Sequence, residues 1–189
     1  MKEQLKFTNS KGVSLHFDCS TYLFTALNGL GDLDADIQFQ KSPYQDGSTY
    51  IGTTFSEREI SLEVTILGDD LKDVAKKRAY FAGVFNPKLG LGELEYTIDD
   101  ISRVILAVVE HIPIYPASDD SRQDFFQTAL VDLRCPDPYW RSEREHVEQL
   151  ATFSGGLTFP LVLPTIFGNQ ESAAKSRIVV NEGDSATPI

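Results

Sequence analysis

The groups that could carry chemistry are few and scattered. Asp32, Asp34 and Asp36 form D-x-D-x-D, which opens a calcium loop. With Asp32 as the first position, the sixth is Ile37, where such a loop needs glycine, and the twelfth is Pro43, where it needs a bidentate Glu. The stretch therefore reads as a solvated acidic loop. Gly90-x-Gly92 looks like the start of a dinucleotide-binding turn, but its third position is Glu95 and it follows a helical pattern. Pyrophosphate binding needs the reverse order, strand and then helix N-terminus. Gly29-x-Gly31 fails because Asp34 stands in the third position. His16, His111 and His146 lie in three separate elements, none with the close ligand spacing of a zinc site. His16 and Asp18 share one strand face and Cys19 takes the other. No G-x-S-x-G occurs. The expectation is no catalytic residue, no metal, no cofactor and no enzyme activity.

Composition narrows the partners. The 189 residues carry 17 Lys and Arg against 28 Asp and Glu, a formal charge of −11. That balance opposes non-specific nucleic-acid binding and docking on anionic lipid. The longest apolar run, Val104 to Val109, is strand-sized, far below the roughly 20 residues of a membrane helix. The first six residues are followed by no apolar stretch, so they do not read as a signal peptide. Cys19 and Cys135 are too few for a disulfide framework and read as buried small hydrophobes in a protein made in the cytoplasm.

The elements that must position these residues are mostly strands. Leu5 and Phe7, then Val13, Leu15 and Phe17, alternate around Asn9-Ser10-Lys11-Gly12, a hairpin turn. Residues 28–32 turn the chain again, and Ile37 and Phe39 mark a short strand. Residues 41–56 read as a polar arm or hairpin around Asp46-Gly47 with little core of its own. Such a segment is expected to reach a neighbouring subunit. Ile60, Leu62, Val64 and Ile66 alternate with polar residues in the cleanest strand. A single helix is predicted over 70–85, started by Asp69-Asp70 and closed by Pro87. Its Leu71, Val74 and Phe81 are expected to pack on that strand. Strands follow at 94–98, at 103–114 after the turn Asp99-Asp100, and at 125–133. The prolines of Cys135-Pro136-Asp137-Pro138-Tyr139-Trp140 end strand structure, so 135–140 reads as a connector between a domain at 1–134 and the start of a second β domain at 141–189, cut short.

In order along the chain, several pieces resemble the distal tail protein family of siphophages and prophages. They are Tyr44-Gln45-Asp46-Gly47, Arg58-Glu59-Ile60, the helix with Arg78 followed by Phe85-Asn86-Pro87, and Gly92-Glu93-Leu94. The Cys135-to-Trp140 piece and Val180-Asn181-Glu182-Gly183-Asp184 complete the set. The resemblance implies a mainly β fold with one helix: an N-terminal β-sandwich or split-barrel-like domain, then the start of a galectin-like β-sandwich. It further implies a structural component of the virion tail, a hexameric ring joining the tail tube protein to tail-tip or baseplate proteins. Double-stranded DNA would pass through its channel without being held, and no membrane is involved. Tyr44, Gln45, Asp46 and Gly47 are the expected oligomer interface. Asp32, Asp34 and Asp36, or Asp99 and Asp100, are expected to line the channel. Trp140-x-x-Glu143 is a fragment of a galectin sugar site without its His-x-Asn-x-Arg partner. A stand-alone carbohydrate- or cell-surface-binding β module is the alternative reading.

Overall fold

The computed structural model describes residues 3–18 and 20–142. The chain divides after Glu143, and every described residue belongs to the first unit. Cys19, His146 and the expected second domain lie outside the described residues.

The chain opens with a hairpin of β1 (Glu3–Thr8) and β2 (Ser14–Phe17), in which Leu5 pairs with Phe17 and Phe7 with Leu15. All four side chains are buried. The Asn9 carboxamide oxygen accepts from the Lys11 and Val13 amides at 3.0 and 3.1 Å, and Gly12 takes a φ of 77°. A left-handed residue is what lets this turn close. β3 (Tyr22–Asn28) precedes a separate two-stranded sheet of β4 (Ala35–Gln40) and β5 (Thr49–Phe55). β6 (Arg58–Leu67) buries Ile60, Leu62, Val64 and Ile66, the apolar face read from its alternation.

α1 (Leu71–Val84) starts where the acidic pair predicts: the Asp70 carboxylate accepts from the Asp73 amide at 2.6 Å. Its inner face differs from expectation at one residue. Val74 and Phe81 are buried, but Leu71 is half exposed at the first helical position, and Val84 and Phe85 extend the contact instead. The Phe85 ring stacks on Phe7 with centroids 4.6 Å apart, Phe81 lies 4.7 Å from Phe85, and Tyr22 lies 5.6 Å from Phe81. This aromatic cluster ties the helix to β1 and β3 as well as to β6.

A short 3-10 turn (Pro87–Leu89) leads to β7 (Leu91–Ile98) and β8 (Ile101–Val109), joined by Asp99-Asp100 with Asp99 at φ 50°. β8 ends at Val109, short of the expected 114. Pro113 has no amide hydrogen to give a ladder, and only Ile114 returns, as a lone bridge to Leu130. β9 (Arg122–Gln123), β10 (Phe126–Cys135) and β11 (Arg141–Ser142) complete the unit.

The main sheet runs β2-β1-β7-β8-β10-β6-β3, with every pairing antiparallel. Between β8 and β10 only Val109–Leu133 and Val108–Arg134 pair. The sheet therefore parts into two leaves hinged at that corner, and their inner faces close on one core. This is a mainly β, split-barrel arrangement with one helix. The expected connector at 135–140 stays with this unit. Cys135 is the buried last residue of β10, the Trp140 indole donates to the Leu30 carbonyl at 3.2 Å, and β11 pairs with β8. The prolines stop the strand but leave Tyr139 and Trp140 free to pack.

Candidate assembly surface

The hairpin β4–β5 stands apart from the main sheet, and nearly all of it is exposed. Its register sets Ala35 opposite Phe55, Ile37 opposite Thr53 and Phe39 opposite Tyr50. Directly opposed residues share a face. One face of the hairpin thus carries Ile37, Phe39, Tyr50 and Phe55, with Phe39 58% and Tyr50 59% exposed. Asp36, Gln38 and Gln40 alternate onto the other face. The Phe39 and Tyr50 rings meet edge to face at 6.2 Å, and the hydroxyls of Tyr50 and Thr53 share a hydrogen bond of 2.8 Å. A two-stranded hairpin is marginal by itself. This one turns its apolar face to solvent.

Tyr44, Gln45, Asp46 and Gly47 sit together at the hairpin tip. Tyr44 is fully exposed at φ 64°, and Gly47 has φ 76°. The Gln45 side chain braces the turn: its oxygen accepts from the Ser42 amide at 3.1 Å and its nitrogen donates to Thr49 Oγ1 at 3.2 Å. The expected interface residues are therefore neighbours, but the larger apolar area is on the strands behind them. Reading 41–56 as polar separated Tyr50 and Phe55 from Ile37 and Phe39. Asp46-Gly47 marks a hairpin, but folding the sequence about that pair alone sets Phe39 opposite Thr54; the register that brings Phe39 to Tyr50 includes a shift after Gln38.

The root of the hairpin is fixed by one buried cation. The Arg58 Nη1 donates to the carbonyls of Gly29, Leu30 and Asp32 at 2.8, 2.9 and 3.2 Å, and its Nε donates to the Pro138 carbonyl at 2.9 Å. The Ser56 amide closes the same root on the Asp34 carbonyl. Gly29, at φ 89°, allows the close approach, since a Cβ there would run into the Glu59 carbonyl oxygen. Beside the root lies an open cleft lined by Asp32, Asp34, Glu57, Glu59 and Arg134. Arg134 pairs with Glu59 and Glu110 at 2.9 Å and with Glu57 at 3.4 Å.

The residues considered for chemistry are dispersed. Among the described residues no three His, Cys, Asp or Glu converge to hold a metal. Asp32 and Asp34 face the cleft, Asp36 lies on β4, and Asp99 and Asp100 form the β7–β8 turn. His16 pairs across from Lys6, while His111 Nε2 lies 2.9 Å from Asp132. Burial pushes the Cys135 thiol up to about 11, so it stays protonated and inert at neutral pH. Gly92 packs over the Phe7 ring, and Gly90 caps the 3-10 turn. Trp140 stands against Tyr96 and bonds Leu30, while Glu143 lies outside the described residues. No helix among the described residues is long and apolar enough to cross a membrane.

The family model for the phage tail protein RIFT-related domain matches residues 17–135. The chain belongs to this family. The tail-protein match spans the main sheet from β3 to β10, the helix and the hairpin. No curated protein matches the chain. Among solved structures, this tail protein is similar to the Dit protein of phage SPP1, described as a hub adsorption apparatus of phages infecting Gram-positive hosts. There the TM-score is 0.55 at 14% identity, over 73% of this chain and 52% of that one. It is also similar to chains of the phage P2 baseplate in its activated conformation, with calcium and with strontium. Both give a TM-score of 0.59, at 12% and 11% identity, over 97% of this chain and 61% of theirs. The tail protein therefore spans between half and two thirds of the solved chains it resembles, and shares their fold.

Proposed function

We propose that the protein is a structural ring component of a siphophage tail tip and not an enzyme. Six copies close into a hub that joins the tail tube protein to tail-tip or baseplate proteins, and DNA passes through the channel unbound. The chain is made in the bacterial cytoplasm and ends in the virion tail. One observation carries the reading: the β4–β5 hairpin, a sheet separate from the one that builds the buried core, exposes Ile37, Phe39, Tyr50 and Phe55 on one face. A rigidly rooted arm with an unburied apolar face is an assembly element in search of a neighbour. Covering the exposed half of four such side chains is worth on the order of 1 kcal/mol each, repeated at every junction of a ring. The family membership and the baseplate and hub folds support the same reading.

The test is light scattering on the eluting 189-residue chain, with negative-stain images. The expected species has six times the monomer mass and six-fold views. Phe39→Ser with Tyr50→Ser should leave a folded monomer. A wild-type chain that remains monomeric at every concentration tested overturns the ring, and a double variant that still closes removes the hairpin from its assembly.

A further inference from the structure

A two-stranded hairpin is marginal in water, and β4–β5 turns Ile37, Phe39, Tyr50 and Phe55 to solvent instead of to a core. Yet an arm that meets the same surface on every copy of a ring has to stand in one direction. Among the described residues its strands form a sheet of their own, with no ladder to the main sheet. What aims it therefore acts at its root. We propose that Pro138, Tyr139 and Trp140 are the seat of the arm: positioning residues that fix the direction of the hairpin and on which ring closure depends. The proposal rests on reading the hairpin as the assembly arm and adds what aims it.

Three groups of this short stretch reach the hairpin root. The Pro138 carbonyl accepts from Arg58 Nε at 2.9 Å, while Nη1 of the same guanidinium holds the carbonyls of Gly29, Leu30 and Asp32 in the loop that enters β4. The Trp140 indole donates to the Leu30 carbonyl at 3.2 Å. That oxygen thus takes a donor from Arg58 and another from Trp140, one for each lone pair. The Tyr139 ring meets Phe55 edge to face at 6.3 Å, at the end of β5, where the chain leaves the hairpin. Entry and exit of the arm are gripped by different groups. Two separate grips fix a direction where a single one would leave a swivel.

The seat is itself tied at both ends. Before it, Cys135 is buried as the last residue of β10; after it, β11 pairs Arg141 with Val104 and Ser142 with Arg103. The chain from Arg134 to Arg141 runs opposite only Val108 to Val104 of β8, so the residues between loop out of the pairing. Pro136 and Pro138 have no amide hydrogen to give a ladder there. The Asp137 carboxylate closes the loop, accepting from the Tyr139 amide at 3.2 Å and from the Arg141 guanidinium at 2.5 Å. Trp140 packs against the core beside Tyr96, with ring centroids 6.5 Å apart. Tyr139 stays outside the core cluster, 44% exposed, and its ring partner is Phe55. One side chain of the seat thus faces the core and the next rests on the arm.

The test separates aiming from folding, using the full chain with Tyr139→Ser and Trp140→Phe together. The second change removes the indole N–H and keeps a ring against the core. In chains diluted to monomer, the amides of 35–55 should exchange hydrogen about tenfold faster than in the unmodified chain, because local opening sets these rates. Amides of β6 and β10 should keep theirs. The concentration at which rings half-form should rise by about tenfold, since an arm free to swing must be ordered at each junction. Tyr139→Phe alone should match the unmodified chain, because the ring and not the hydroxyl makes the contact with Phe55. Unchanged exchange in 35–55, or rings that half-form at an unchanged concentration, overturn the seat. Faster exchange in β6 and β10 as well overturns it too, since these residues would then hold the barrel and not the arm. If rings are lost with Phe39→Ser and Tyr50→Ser but kept when Tyr139 and Trp140 change, the arm reading stands and only the seat is wrong. Rings that survive both pairs of substitutions overturn both.

Discussion

Arg58 is a buried cation that donates to backbone carbonyls of Gly29, Leu30, Asp32 and Pro138. Its planar fork reaches two segments at once, the loop entering the hairpin and the segment after β10, in a way that a lysine ammonium does not reproduce. Phe55, at the end of β5, and Tyr139 add an edge-to-face contact at 6.3 Å between the hairpin and the segment after β10. Removing the guanidinium strands several carbonyls away from solvent. Arg58→Ala should therefore cost about 2–4 kcal/mol, and Arg58→Lys should recover little of it. The readout is the urea midpoint at unchanged slope. A loss well under about 1 kcal/mol would mean that water takes over these acceptors. In sequence this residue is only the first of an Arg58-Glu59-Ile60 run. Its role depends on carbonyls 26 to 80 residues away in sequence, which no local pattern encodes.

Elements were legible where one face is buried and invisible where pairing is long-range. The strand at 60–66, the helix at 70–85 and the Asn9–Gly12 turn each follow from local alternation, a cap or a glycine, and each is found. The assembly face was not legible, because Ile37 and Phe39 meet Tyr50 only across a turn and a register shift after Gln38. Leu71 was misplaced for a related reason. Helical spacing puts it in line with Val74, but it is the first residue of α1 and is 50% exposed. The two leucines give a paired prediction. Leu62 is 1% exposed in the middle of the core, so Leu62→Ala should cost about 2–5 kcal/mol. Leu71→Ala should stay within about 0.5 kcal/mol. Thermal midpoints of the two variants decide it, and equal losses would show that the helix start is packed after all.

At the scale of the whole molecule the dominant quantity is charge. Six copies at −11 each carry −66 formal charges. In the proposed ring, double-stranded DNA, itself dense negative charge, has to pass without being held. A basic wall would bind it by releasing counterions, with an affinity that falls steeply with salt. An acidic wall repels it. Asp32 and Asp34 line the cleft at the hairpin root beside Arg134. The Asp99-Asp100 turn between β7 and β8 is proposed as one acidic contributor to the channel wall. The assembled protein should therefore show no binding to duplex DNA at about 0.15 M salt, where screening already limits charge effects to about 8 Å. Asp99→Lys with Asp100→Lys should keep the ring and make it retain duplex, with an affinity that drops as salt rises. Fluorescence anisotropy of a labelled duplex reads both. Binding by the unmodified ring would refute the acidic wall. A reversed turn that gains no affinity would place the turn outside the channel.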